Sequence, residues 1–263
     1  MKSKSFIKDS LFLQSCRIVR SNLGISGLII LFDIMFLVSF LTMQQLSSYA
    51  AQAIVPYITG NLLLLLLALS SIYYLIVLFV YSIFKFSVLG FIKSLFAKSR
   101  PSFTEFWKFY ALNLSIAIVF LAVMLVFDYI LANLKPDFAP YVFVVIAIPY
   151  SLILYASLNI SQSLYFHGNS LAASIKKGFL ITFTEMKRYR ELVLVMIISA
   201  AALWVIFLGI GYIVQVSTSA NYSLYLRTYS VFGEASKWAI SAVFYFLILI
   251  NRISFYKITQ EKR

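Results

Sequence analysis

Acidic residues are scarce in this sequence: 9 aspartates and glutamates stand against 22 lysines and arginines in 263 residues, and only 12% of the chain is charged. A water-soluble domain carries about twice that share of charge. There is one cysteine, Cys16, and one histidine, His167. An intrachain disulfide is therefore excluded, and these two soft ligands are too few for a zinc or haem site built from this chain alone. The 9 glycines form no GxxxxGK[ST] phosphate cradle, and no pair of acids stands where a lipid-headgroup transferase would hold a metal. No metal or other cofactor is expected. Besides the terminal acids, Glu105, Glu185 and Glu191 are the only ones placed to serve an enzyme at the basic face.

What replaces charge is grease. Hydrophobic residues make up 62% of the chain, and the mean hydropathy is +0.93. The formal charge of +13 sits in short segments between apolar runs and forms no separate basic domain. That pattern points away from nucleic acid and toward an anionic membrane surface. Runs of about 20 apolar residues suit a hydrocarbon core of roughly 30 Å. They predict spans at 23–43, 62–84, 109–129, 141–164, 192–214 and 237–256. The fold class is an all-α polytopic transmembrane helix bundle, read as one integral membrane domain over 1–263 with no soluble domain. A cleavable signal peptide ending near Ala51-Gln52-Ala53 is the alternative for the first run, but Leu23 to Met43 is too long for a signal core.

Basic loops resist translocation and so orient the bundle. Of the 22 lysines and arginines, all but Lys135, Arg227 and Lys237 fall on one side of the predicted spans. That side is expected to be cytoplasmic, with both termini there and the protein in the cell membrane. Cys16 then lies in a reducing compartment. Tyr49, Tyr57, Trp107, Tyr141, Tyr189 and Trp238 fall near span ends, as interfacial anchors do.

The six spans group as three helix hairpins, each preceded by a basic segment. Phe6-Ile7-Lys8, Phe91-Ile92-Lys93 and Ser174-Ile175-Lys176 open those segments, and Asn22-Leu23-Gly24-Ile25 echoes Asn113-Leu114-Ser115-Ile116. The spacings differ among the units, so the choice between a triplication and the common habit of basic residues before an inward-starting span stays open. Leu171, Ile175, Phe179 and Phe183 recur at helical spacing. They predict either a short helix lying in the inner interface or an extension of the fifth span.

An ionisable side chain at the bilayer midplane costs at least about 2.5 kcal/mol, so each one is a site candidate. Asp33 lies midway along the first span and Arg252 toward the inner end of the sixth. Because helical side chains lean toward their own N-terminus, the two lean toward one another in depth. One expectation is an Asp33–Arg252 pair joining the first and last spans. The other is that Arg252 reaches the headgroups while Asp33 bonds hydroxyls at similar depth, supplied by Ser70, Ser71, Tyr74, Tyr155 or Tyr245. Asp128 lies near water at the outer end of the third span, with Lys135 as its candidate partner, and Asn113, Asn159, Gln162 and Gln215 suit hydrogen bonds between helices. Pro149 is expected to kink the fourth span, and Gly209 and Gly211 to offer a small face for packing in the fifth.

Three functional readings follow. The first is a non-enzymatic, transport-related protein or membrane-complex subunit, partnered by other membrane proteins or by copies of itself. The second is a scaffold that gathers partners or anionic lipid headgroups on a basic cytoplasmic face made by Lys176, Lys177, Lys187, Arg188 and Arg190. A lipid-modifying enzyme is the third.

Overall fold

The computed structural model describes residues 10–54, 62–96, 103–135, 137–219 and 221–261. Lys2, Lys4, Phe6-Ile7-Lys8, Tyr57, Lys98, Arg100, Lys262 and Arg263, used above to read topology and repeats, lie outside them. The described residues form eight helices: α1 (Leu11–Ser21), α2 (Leu23–Ile54), α3 (Leu62–Phe96), α4 (Phe103–Ala132), α5 (Ala139–Phe166), α6 (Leu171–Thr184), α7 (Met186–Thr218) and α8 (Tyr222–Gln260). No strand occurs among them. Six of them, α2 to α5, α7 and α8, are long and apolar enough to cross a membrane. The chain is an all-α, multi-pass membrane protein.

All six long helices outrun the predicted spans. The 35 residues of α3 make a rod of roughly 52 Å, well beyond a hydrocarbon core of about 30 Å. Hydropathy stopped the second span at Phe84 because Lys85 follows, yet α3 continues for several turns past that lysine. The lysine is tolerated there because its Nζ is hydrogen-bonded, donating to Asn159 Oδ1. Similarly, Arg227, placed outside the predicted spans, and Lys237, placed at the start of the sixth, both lie well inside α8.

The chain divides into two compact units, one of Met1–Val19 with Thr184–Lys257 and the other of Arg20–Phe183 with Ile258–Arg263. In the second unit α2 runs antiparallel to α3. Phe32 meets Phe84 and Phe91, Phe36 meets Tyr81 and Phe84, and Ser47 and Ala51 share a cleft with Leu66 and Tyr73. Helices α4 and α5 form the next hairpin, pinned by rings from Phe109 against Phe166 to Phe127 against Tyr150. Pro149 is accommodated inside the continuous helix α5, and Tyr150 beside it donates from its hydroxyl to the Phe120 carbonyl at 2.7 Å. The turn after α5 needs a left-handed residue, and Gly168 supplies it at φ 90°.

Of the two expectations for this segment, the separate short helix is the one formed: a turn at Glu185 divides α6 from α7, and α6 packs along α5. Its buried face is Ser174, Gly178, Ile181 and Thr182, while Phe183 from the predicted apolar stripe is 59% exposed. A side chain at position 178 has no room, because a Cβ there would stand 1.9 Å from Ser161 Oγ and 3.0 Å from Ser161 Cα. Small residues let two helices approach this closely. One turn-residue further on, Phe179 stacks on Phe120 with centroids 5.8 Å apart.

In the first unit α7 and α8 are antiparallel, with Tyr189 against Phe255, Met196 Sδ accepting from Asn251 Nδ2, and Phe207 against Phe232. Gly211 faces Phe232, but a Cβ there would make only ordinary contact at 3.5 Å, and Gly209 has open space beside it. The short α1 buries Leu11, Ser15 and Val19, one side of the helix. Ser10 caps it by accepting from Leu13 N–H at 3.2 Å. Glu191 on α7 accepts from Leu11 N–H at 3.2 Å and from the Ser10 hydroxyl, Ser15 and Ser254 share a 2.7 Å hydrogen bond, and Lys257 donates to Gln14. Partial burial also pushes the Cys16 thiol above its ordinary pKa, which favours the unreactive protonated form.

Glu191 thus fastens α1 at its N-terminus. Glu191→Ala removes that acceptor, a loss of about 1 kcal/mol for a helix cap. In limited trypsinolysis of detergent-solubilised protein, cleavage at Arg17 and Arg20 is expected to accelerate several-fold relative to wild type. Unchanged cleavage would mean that α1 holds without this contact.

Candidate functional site

Buried polar side chains in the second unit gather where α3, α4 and α5 meet. Lys85 and Asn159 are each 5% exposed, Asn113 1%, and Ser82 and Gln162 0%. Burial of this depth demands partners, since an unsatisfied polar group costs about 1–3 kcal/mol. Lys85 Nζ donates to Asn159 Oδ1 at 3.0 Å, and Asn159 Nδ2 donates to the Tyr155 carbonyl at 2.7 Å. A second chain runs across all three helices. Gln162 Nε2 donates to Asn113 Oδ1 at 2.8 Å and to the Tyr81 hydroxyl at 3.3 Å, Asn113 Nδ2 donates to Ser82 Oγ at 2.9 Å, and Ser82 Oγ donates to the Leu78 carbonyl at 2.7 Å.

The geometry follows from helical spacing. Ser82 and Lys85 stand three apart on α3, and Asn159 and Gln162 three apart on α5, so each pair shares a face. Asn113 sits between Phe109 and Ile116 on the buried stripe of α4. Phe106, Phe109 and Phe166 close around Phe86, at centroid separations of 5.2 to 5.8 Å. Some polar capacity is left over: Gln162 Oε1, Ser157 Oγ and Ser161 Oγ are buried and have no hydrogen-bond partner among the described residues.

The cluster offers amides, hydroxyls and the Lys85 amino group. It holds no carboxylate or imidazole to act as a general acid or base. Among the described residues, no three of the His, Cys, Asp and Glu side chains group in a way that could hold a metal ion. Holding three helices in register is what this arrangement can do.

The residues singled out by depth alone fall on four helices, α2, α3, α5 and α8. Asp33 is half-buried on α2, in the unit of α3 to α5, and Arg252 is half-buried on α8, in the other unit. Ser70, Ser71 and Tyr74 are exposed on α3, and Ser71 Oγ donates to Leu67 O of its own helix at 2.8 Å. Tyr245 is half-buried on α8. Tyr155 alone joins the cluster, through its backbone carbonyl. Of the basic face, Lys176, Lys177, Lys187 and Arg190 are exposed, Lys177 donates to Asn169 at 3.3 Å, and Arg188 lies 4.0 Å from Glu185. Sequence reasoning placed Lys85 in a loop and so missed the centre of the cluster. The signal was present: Asn159 and Gln162 at one spacing, and Ser82 and Lys85 at the same spacing, on two helices.

No family model, curated protein or solved structure matches the chain. Its function must be read from the residues themselves.

Asn113 is the middle link of the cross-helix chain. Asn113→Leu strands Gln162 Nε2 and is expected to lower stability by about 1–2 kcal/mol, read as a lower midpoint of thermal unfolding in detergent. Ser71→Ala, which removes only a bond within one helix, should leave the midpoint in place. Equal midpoints for the two variants would contradict a network that joins helices.

Proposed function

We propose that this protein is a non-enzymatic subunit of a larger membrane assembly, transport-related in that it completes or supports a path built with other chains. The observation that carries this reading is how little of the apolar surface the chain itself covers. The most apolar 18-residue windows of α3 and α7 are 0% buried, and those of α2, α4 and α5 only 11%. Polar groups, meanwhile, are gathered in a closed structural cluster. A self-contained carrier needs polar groups lining a path near the midplane. Here Ser70, Ser71 and Tyr74 stand on exposed helix surface instead.

Lipid covers much of that surface, as it does for any span, and the subunit reading assigns part of it to neighbouring helices. On a Cys16→Ser background, single cysteines at Val205 and Leu125, both 61% exposed, are expected to yield cross-linked products above the 30.0 kDa of one chain in native membranes. Single-chain species throughout, with solute flux from monomers in liposomes, would overturn the proposal.

The second reading, a scaffold with a basic face for anionic lipids, is supported by the exposure of Lys176, Lys177, Lys187 and Arg190. An enzyme finds less support. Glu191 is committed to capping α1, and Glu185 lies beside Arg188.

A further inference from the structure

At the junction of α5 and α6 the second unit holds a cleft of about 630 Å³. It lies within the size range of small-ligand sites, about 300–1,000 Å³. Its lining draws on three parts of the chain: Lys93 from α3, Glu105 and Lys108 from α4, and Phe166 with Asn169 and Ser170 from the turn into α6. Neither Lys93 nor Lys108 has an ion-pair partner among the described residues. Lys177 adds a third ammonium nearby through its bond to Asn169. Three lysines against one glutamate make the cleft cationic.

Its polar donors suit an oxyanion in geometry as well as charge. Asn169 turns its own amide back onto the α5 terminus, with both N–H and Nδ2 donating to the Leu164 carbonyl at 3.3 and 3.0 Å. The carbonyl end of α5 is thereby closed off. The opening turn of α6 presents N–H groups that lack acceptors within the helix; Ser174 N–H donates to the Ser170 carbonyl at 2.8 Å, and Ala173 N–H is engaged weakly by Ser170 Oγ at 3.4 Å. Phe166 gives the cleft an apolar wall. Trp107, 55% exposed and adjacent to Lys108, has the character of a residue at headgroup level.

We propose that this cleft binds a phosphate group, supplied by the headgroup of an anionic phospholipid. Lys93 and Lys108 clamp the phosphate from two helices, Ser170 and the start of α6 donate to its oxygens, and Phe166 lies toward the glycerol backbone. This rests on the second reading above and narrows it, from attraction spread over a basic face to one built site.

The test uses the full chain in bilayer discs of phosphatidylcholine containing phosphatidylglycerol, with retained lipid counted by native mass spectrometry. Wild type is expected to keep phosphatidylglycerol. Lys93→Gln combined with Lys108→Gln should reduce that retention by at least about fivefold, within the roughly thirtyfold attraction that a pair of interfacial cations supplies. Lys93→Arg with Lys108→Arg, which keeps both charges and reports on folding, should retain it. Lys187→Gln with Arg190→Gln alters the exposed basic face and should change retention little. If the cleft variant keeps its lipid while the face variant loses it, the site proposal falls and diffuse attraction stands. Loss in neither variant overturns both. Displacement of the lipid by millimolar inorganic phosphate alone would identify a soluble phosphate compound as the occupant and overturn the lipid assignment.

Discussion

The amino group of Lys85 is taken out of solvent in the mainly apolar helix α3, and it is held there by the side-chain carbonyl of Asn159. An amino group in such surroundings is strongly penalised unless it is bonded. The hydrogen bond therefore fixes α3 against α5 at one height. Gln162, one turn along, does the same between α5 and α4 through Asn113. Around these contacts the aromatic rings of Phe86, Phe106, Phe109 and Phe166 pack closely. Small deviations in register would strand several polar groups at once, so the polar cluster specifies the arrangement more sharply than greasy contacts do.

Away from that cluster the same helices behave differently. Burial on α4 ends at Phe120 and on α5 begins at Ala156, leaving Leu121 to Ile130 and Tyr141 to Leu152 largely exposed. Among lipids such surfaces carry no penalty, and helices there attract one another only by close packing and polar contact. Two parts of the chain show how that contact is made. Gly178 lets α6 approach Ser161 until their backbones nearly touch, and Glu191 draws the amphipathic α1 to α7. Each unit is thus locked by polar and small residues over part of its long helices and left open to lipid or neighbours along the rest.

Much of this was legible in the residues. The number of long apolar helices and the fold class follow from run length, because the bilayer imposes a minimum on any helix that crosses it. The interhelical role of Asn113 and Gln162 also follows from residue type. Helix ends did not, since a hydropathy scan treats Lys85 as a boundary and cannot see Asn159 waiting opposite. The packing face of α6 was hidden for a related reason. Its apolar stripe of Leu171, Ile175, Phe179 and Phe183 is conspicuous in sequence, whereas the face it buries, Ser174, Gly178 and Thr182, is conspicuous only beside Ser161. Depth within a span likewise nominated Ser70, Ser71 and Tyr74, but depth says nothing about which side of a helix a residue occupies.

The most direct measurement of this account is a double-mutant cycle on Lys85 and Asn159, using Lys85→Met and Asn159→Leu, with unfolding followed in detergent or bilayer discs. Either single change breaks the buried Lys85–Asn159 hydrogen bond from one side and should destabilise the protein by about 2 kcal/mol. The double change removes both groups together and should cost clearly less than the sum, a coupling of at least about 1 kcal/mol. Strictly additive losses, or single variants as stable as wild type, would contradict the claim that this buried lysine sets the register of the helices.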